Sequence, residues 1–313
     1  MKIGVIGAGK FGKNHLNILS AKGVLAGISE LHDDARIEAQ KAFGVPVYSD
    51  YHELLAAGID GVVIATPAQT HYSIACDALR AGIPTFVEKP LTLTVADAEA
   101  LVKFADEQNV MLMVGHLLLF HPAVELIRQT IVSGKIGSLC SLHQERLNLG
   151  TARSHENALW SLGVHDVAVL LYLVGQSPSK VTMVGQDVLN PDIEDDVYLH
   201  LLFDNGIQAH IHNSWLWPEL RRRLVVVGTE GVIVFDEVTT EVTLQNRYID
   251  SSLNKVDNGM ELLMSGSCNP LETELTHFME CIRTHSEPRT SGRSALEVVR
   301  VLELAGLKSN EDN

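Results

Sequence analysis

Cysteine is scarce in this chain: four in 313 residues, at positions 76, 140, 268 and 281, with no CxxC pair. That excludes a zinc ribbon and a dithiol redox motif, and leaves small buried thiols in a reducing compartment as the expectation. Basic residues are outnumbered, 24 Lys and Arg against 39 Asp and Glu, for a formal net charge of −15. So acidic a chain repels nucleic acid and anionic membrane surfaces, and neither is expected as a partner. An anionic ligand would need a local cluster of Arg, Lys or backbone N–H groups. No apolar run approaches the roughly 18 residues that span a bilayer. Met1 and Lys2 lead directly into IGVIGAG, too short and too Gly-rich for the apolar core of a signal peptide, so a cytoplasmic location is expected. Internal repeats and low-complexity linkers are also lacking.

What is present is ordinary for a globular protein: 46% hydrophobic and 20% charged residues, over a length that suggests two domains. Strand-like runs at 2–6, 24–29, 45–48, 61–65, 84–87 and 110–114 alternate with helical runs at 11–22, 34–43, 51–57, 70–81 and 94–108. The run GVVIA at 61–65 is continuously apolar, the sign of a parallel strand covered on both faces. This alternation predicts a doubly wound parallel sheet over residues 1–117. Beyond it the pattern changes. A helix near 121–133, a strand at 138–147, a polar loop at 148–158 and a helix ending near Gly175 come first. Then strand-like runs succeed one another without helices: KVTMVGQDV, VYLHLLF, IQAHIHNSWL, RLVVVG, GVIVFD and EVTLQ. Asp204-Asn205-Gly206 and Thr229-Glu230-Gly231 punctuate them as hairpin turns. Two helices, near 271–285 and 294–307, and a frayed tail SNEDN close a second α/β domain, 118–313, with a large, mostly antiparallel open sheet.

Gly7-Ala8-Gly9-Lys10-Phe11-Gly12 is a GxGxxG between a predicted strand and a predicted helix, the context in which it reads as a dinucleotide-binding Rossmann fingerprint. Gly7 permits the tight turn, Gly9 admits the pyrophosphate to the backbone, and Gly12 lets the helix pack on the sheet. The helix N-terminus supplies N–H groups and a favourable dipole. Glu30 ends the second strand 18 residues after Gly12, where an acid holds a ribose 2′-hydroxyl; its alternative is a solvated surface acid. A 2′-phosphate beside it would be repelled by about 4 kcal/mol per unit charge at roughly 4 Å and an effective dielectric of about 20. NAD is therefore the expected cofactor, with Arg36 nearby able to soften the preference.

Ala65-Thr66-Pro67, His71 and Glu88-Lys89-Pro90 then complete a set of motifs that resembles the glucose–fructose oxidoreductase / inositol dehydrogenase / MocA family over essentially the whole chain. The resemblance implies hydride transfer between NAD(P) and a sugar or cyclitol, and a second-domain sheet often used to oligomerise, here as a homodimer or homotetramer. It implies that Thr66, Pro67 and His71 line the cofactor, and that Lys89 reaches toward the nicotinamide and the reacting alcohol, with Glu88 beside it to orient or tune it. A desolvated Lys at the carboxyl edge of such a sheet can act as acid or base. The family's Asp-x-Gly-x-His stretch corresponds to Ser161-Leu162-Gly163-Val164-His165: the His is kept and the Asp is replaced by Ser. His165 is the expected general base, since an imidazole titrates near pH 6.5. Asp166 adjoins it, but neighbouring helical residues diverge. His116 follows the sixth strand and is expected under the nicotinamide. His210 and His212 share one strand face and are expected as polar surface; no histidine spacing suggests a metal, and none is expected.

The stretch Gly115-His116-Leu117-Leu118-Leu119-Phe120-His121-Pro122, the stretch Arg146-Leu147-Asn148-Leu149-Gly150 with Arg153, Glu156-Asn157 and Trp160, and Ser214-Trp215-Leu216 with the Arg221–Arg223 run together resemble the branch of the family that oxidises nucleotide-linked amino sugars. That implies UDP-N-acetylglucosamine as substrate and its 3-hydroxyl as the oxidised group. Arg153 is the natural pyrophosphate clamp, and Asn148 and Asn157 would meet hydroxyls or the acetamide; the alternative for each is a side chain facing water. The Arg221-Arg222-Arg223 run is a second candidate for the clamp, or part of a subunit interface. Other substrates of the same chemistry, a UDP-uronate, a free sugar or inositol, remain open, as does a regulator that binds NAD and sugar without turnover.

Overall fold

The computed structural model describes residues 1–266 and 268–306 of the chain. They fall into two compact units, Met1–Leu117 with Pro270–Arg300, and Leu118–Asn269 with the chain from Val301 onward.

In the first unit, β1 (Ile3–Ile6), β2 (Leu25–Ser29), β3 (Val47–Tyr48), β4 (Gly61–Ile64), β5 (Thr85–Val87) and β6 (Leu112–Val114) form a sheet of order β3-β2-β1-β4-β5-β6. Every pairing is parallel. All residues of β1, β4, β5 and β6 are buried, which is why GVVIA, over β4, reads as an unbroken apolar run; the one polar side chain in these strands, Thr85, bonds to the Ile83 carbonyl. The connecting helices are α1 (Gly12–Ala21), α2 (Asp33–Phe43), α3 (Tyr51–Leu55), α4 (His71–Arg80) and α5 (Val95–Gln108). Asp50 and Thr94 cap α3 and α5 by accepting the backbone N–H groups of His52 and Asp97. The chain winds outward from β1 to β3, then crosses back to β4 on the other side of β1. The carboxyl ends of β1 and β4 therefore flank the switch point where a doubly wound sheet opens to ligands.

Two later helices, α8 (Pro270–Thr284) and the first part of α9 (Gly292–Gly306), belong to this first unit, although the chain pattern assigned all of 118–313 to the second domain. Phe278 of α8 is fully buried and meets Phe86 edge to face at 5.7 Å. Arg293 and Arg300 of α9 pair with Asp106 and Glu99. An amphipathic helix announces that it covers a sheet, but its stripe does not say which one. The expected helix end at Leu307 and the tail SNEDN lie outside the described residues.

The second unit contains α6 (Pro122–Val132), β7 (Leu139–Leu149), a π-helical turn (Leu159–Gly163), α7 (Val164–Val174), β8 (Lys180–Gln186), β9 (Asp196–Leu202), β10 (Gln208–Ser214), β11 (Leu216–Gly228), β12 (Val232–Asp236), β13 (Glu241–Ile249) and β14 (Lys255–Ser265). Its eight strands run β14-β13-β12-β11-β7-β10-β9-β8. All pairings are antiparallel except β10 with β7. In β9, Val197, Leu199 and Leu201 face inward while Tyr198, His200 and Leu202 face out.

Several expectations are corrected here. RLVVVG is only the end of β11, which begins at Leu216; its register with β7 slips between Leu216 and Arg221, around Pro218, which cannot donate to the ladder. β14 was not foreseen, because none of its residues is buried and no alternation marks it. His212 is buried rather than surface: it pairs with Asp196 at 2.9 Å and stacks on Tyr198, its opposite neighbour in the ladder. His210 is half-buried and meets His200 across the same strand pair at 2.7 Å. Of the cysteines only Cys281 is buried; Cys140, at the start of β7, and Cys268, ahead of α8, are exposed, and Cys76 is half-buried. Among the described residues no helix is long and apolar enough to cross a membrane.

The place of α8 is testable. Phe278→Ala is expected to lower the unfolding free energy by about 3–5 kcal/mol, the cost of truncating a core aromatic, read from the urea midpoint at constant slope. A loss under about 1 kcal/mol would contradict its packing against Phe86.

Candidate functional site

The candidate residues of the first unit come directly after strands, at the carboxyl edge of the sheet: Gly7 after β1, Glu30 after β2, Thr66 just beyond β4, Glu88 and Lys89 after β5, and His116 just beyond β6. Gly7 has φ +97°, and a Cβ there would stand 2.7 Å from the Ala65 carbonyl oxygen. A Cβ on Gly12 would collide with the Gly7 carbonyl oxygen. Gly9 differs: a Cβ there would meet no protein atom within 4 Å. The first and last glycines are thus required by the fold, while the middle one leaves open space above the turn, at the N-terminus of α1. That cradle fits a dinucleotide pyrophosphate. Lys10 and Phe11 are exposed on its rim.

Glu30 is 8% exposed and accepts the N–H of Ala8 at 2.7 Å and of His32 at 3.0 Å. It fastens the glycine turn to the end of β2, and each carboxylate oxygen keeps a lone pair for a ribose hydroxyl. Arg36 does not neutralise it. Its guanidinium donates to the carbonyls of Glu30 and Leu31 and pairs with Asp33. Thr66 Oγ1 accepts from Thr70, and Pro67 begins the turn into α4. His71 is 1% exposed, its two ring nitrogens 2.8 Å from the Pro90 carbonyl and 2.9 Å from that of Thr66. It ties two turns together, and burial lowers its pKa against the pull of those carbonyls. Its influence on a ligand must pass through the turns it joins.

Glu88 is 7% exposed. One carboxylate oxygen lies 2.6 Å from Nε2 of His15, and the other accepts the Lys89 N–H at 3.1 Å. His15 is fully buried, held edge-on between the rings of Phe11 and Phe86. Glu274 of α8 is also fully buried; burial, and then the charge of Glu88, push its pKa well above the usual carboxylate range. His116 is 2% exposed, and burial, with the nearby Lys89 charge, lowers its pKa to about 4. The result is an imidazole held neutral near an anchored Lys89, and a second buried acid whose ionisation is opposed beside Glu88. His15 and Glu274 were missed in the sequence. A signal existed for both: His15 sits on the apolar face of α1, and Glu274 interrupts the stripe Leu271, Leu275, Phe278.

In the second unit, His165 stands half-buried in the first turn of α7, just after the π-helical turn. Asn157 builds that turn. Its Oδ1 accepts the Trp160 N–H at 3.0 Å and its Nδ2 donates to Glu194 at 2.8 Å, so both ends of the amide are engaged within the protein. Trp160 and Asn148 are half-buried. Arg153 lies on the loop, about half exposed, with Glu156 3.7 Å away. Asp166, about 100° around the helix from His165, is engaged elsewhere. Fully buried, it accepts from Arg146 at 2.9 Å and Asn213 at 2.8 Å. Burial opposes its charge and Arg146 favours it; burial prevails. Arg146 also holds Glu237 with both terminal nitrogens, at 3.1 and 2.7 Å. A cavity of about 1020 Å³ lies at the amino edge of the first unit's sheet, lined by Met1, Asp60, Pro84 and Met111. That is the wrong edge for a dinucleotide.

Comparison with known proteins shows the family. Residues 1–116 match a family described as an oxidoreductase family with an NAD-binding Rossmann fold, and residues 124–234 match the GFO/IDH/MocA C-terminal domain. The chain is similar to UDP-N-acetylglucosamine 3-dehydrogenase of Acidithiobacillus ferrooxidans, 28% identical over 286 residues, 91% of this chain and 90% of that protein. It is also similar to inositol 2-dehydrogenase 2 of Saccharopolyspora erythraea, 30% identical over 79% of this chain and 76% of that one. A solved structure of the Acidithiobacillus enzyme superposes with a TM-score of 0.87 at 27% identity, covering 97% of this chain and 96% of that chain.

With Arg36 occupied, Glu30 should favour NAD over NADP by at least about tenfold in Kd, given the repulsion expected at a 2′-phosphate. Titration of both cofactors by tryptophan fluorescence at one salt concentration checks this, and equal affinities would contradict it. Glu274 makes a second prediction. Because its folded pKa is raised, the native state holds more protons than the unfolded state above about pH 4.5. The penalty is absent below that pH and grows as pH rises toward the folded pKa. Glu274→Gln should therefore gain stability relative to the native protein between pH 5 and pH 8.5, by urea unfolding; a pH-independent difference would contradict a neutral Glu274.

Proposed function

This chain belongs to the GFO/IDH/MocA family of NAD-binding oxidoreductases, and we propose that it oxidises the 3-hydroxyl of a UDP-linked N-acetylhexosamine, UDP-N-acetylglucosamine, to a 3-keto sugar suited to later amination. The observation that carries the reading is the similarity to a UDP-N-acetylglucosamine 3-dehydrogenase across 91% of the chain. Identity of 30% to an inositol dehydrogenase favours a second reading, oxidation of a cyclitol or free sugar.

Gly7, Gly9 and Gly12 with the N-terminus of α1 would hold the pyrophosphate, Glu30 the adenosine ribose, and the turns at Thr66–Pro67 and Glu88–Lys89 the nicotinamide end. Bound there, NAD supplies the acceptor for the hydride that leaves the carbon. The hydroxyl proton must leave as the carbonyl forms, and the protein must take it. His165 takes that proton, and Lys89 donates a hydrogen bond to the same oxygen. Glu88 fixes the Lys89 backbone from beneath, and the neutral His116 adds no second positive charge beside it. Arg153, with its guanidinium about half exposed on the polar loop, takes the UDP pyrophosphate. Asn148 and Trp160 serve the sugar; Asn157 serves it indirectly, by shaping the turn. The same reading has the chain working in the cytoplasm as a homodimer or homotetramer, through the outer sheet face that carries Tyr198 and Leu202.

NADH appearance at 340 nm should give a kcat/KM for UDP-N-acetylglucosamine at least about tenfold above those for UDP-N-acetylglucosaminuronate, free N-acetylglucosamine and myo-inositol. A preference for inositol or a free sugar would replace this reading with the second. Lys89→Ala and His165→Ala should each lower kcat by about 10²–10⁴-fold, the usual size of acid–base assistance, with NAD binding retained. His165→Ala keeping more than about a tenth of the rate would exclude it as the base. Arg153→Ala should raise KM far more than it lowers kcat, because the pyrophosphate is unchanged in the reaction. The loss should be about 1.5–3 kcal/mol, and an unchanged KM would place the nucleotide elsewhere.

A further inference from the structure

Two fully or nearly fully buried charged side chains of the second unit, Arg146 and Asp166, meet on its sheet. β7 and β10 are the parallel pair of the sheet, and Arg146 and Asn213 stand opposite each other in its register. Asp166, in the first turn of α7, reaches both, with one oxygen on Arg146 Nε at 2.9 Å and the other on Asn213 Nδ2 at 2.8 Å. Arg146 and Asp166 are respectively 6% and 0% exposed. Beyond Arg146 the chain of contacts ends at Glu237, just after β12, whose backbone N–H donates to the Arg222 carbonyl of β11. The π-helical turn presses on the same spot: a Cβ on Gly163 would run into Asn213 Oδ1.

Apolar packing alone would hold α7 on the sheet without fixing its rotation, because hydrophobic contact is non-directional. Two hydrogen bonds from one carboxylate to two strands are directional and fix it. The tip of a helical side chain lies about 5–6 Å from the helix axis, so a rotation of about 10° displaces it by about 1 Å. A misplacement of that size can cost about 100-fold in rate. His165 is the residue beside Asp166, about 100° around the helix.

We infer that the Arg146–Asp166–Asn213 staple, backed by Glu237, is the positioning device for His165, setting the rotation of α7 that aims its imidazole. Asp166 and Asn213 are positioning residues and touch no substrate. This rests on His165 as the proton acceptor, and the test separates the two claims.

Asn213→Ala leaves the Arg146–Asp166–Glu237 ion pairs in place and is expected to fold. Its kcat on UDP-N-acetylglucosamine should fall about 10–100-fold, while KM for the sugar and Kd for NAD stay within about twofold. The imidazole resonances of His165, identified by their loss in His165→Ala, should shift in Asn213→Ala. In the His165→Ala background, Asn213→Ala should lower the residual rate no further, because its effect passes through the missing ring. Asp166→Asn, which keeps the shape, should repeat the kcat loss. A fall in melting temperature with kcat per folded molecule and His165 resonances unchanged would reduce the staple to a structural role and overturn the inference. Full activity in His165→Ala would overturn the reading on which it rests.

Discussion

The site of the first unit depends on one buried carboxylate, that of Glu88. A charge taken out of water is tolerated only where partners replace the water. Glu88 has two: the His15 imidazole from α1 and the N–H of Lys89. A third neighbour, Glu274, feels its charge: burial, and then Glu88, push the Glu274 pKa well above the usual carboxylate range. The two bonds of Glu88 join the helix that begins at the glycine turn to the end of β5. The Lys89 backbone has little freedom as a consequence, and the glycine turn is held at its other side by Glu30 on the Ala8 N–H. The dinucleotide cradle and the candidate acid–base group are thus parts of one hydrogen-bonded assembly.

The second unit fixes its candidate group by other means. A broad sheet offers an apolar face on which a helix such as α7 could settle at several rotations. Asp166 removes that freedom by bonding to two adjacent strands, and Gly163 lets the preceding turn come close enough for this to happen. Replacing such a network by apolar groups often stabilises a protein. Its contribution here is direction rather than free energy, which is what a proton acceptor needs.

The parallel sheet and the glycine turn were legible in the sequence because their causes are local. Strands buried on both faces must be apolar throughout, and Gly7 and Gly12 answer to clashes with Ala65 and Gly7 that only a short loop can create. The rest hinges on partners distant in sequence. Nothing near Asn157 announces that Glu194 will take its amide, so it read as a sugar contact. His212 read as surface because Asp196 and Tyr198 reach it only once β9 and β10 pair. β14 escaped because an edge strand without a buried side has no period to detect. Glu274 was the missed opportunity: a carboxylate inside an apolar stripe is visible without any structure.

Hydride transfer from C3 of a nucleotide amino sugar is the central claim, and the fate of that hydrogen tests it. UDP-N-acetylglucosamine carrying deuterium at C3 is incubated with the protein and NAD, and the reduced cofactor is examined by mass spectrometry and proton NMR. NADH one mass unit heavier, with deuterium at the nicotinamide C4, is the predicted result. Unlabelled NADH, or none formed while a cyclitol or free sugar reduces NAD readily, would contradict it.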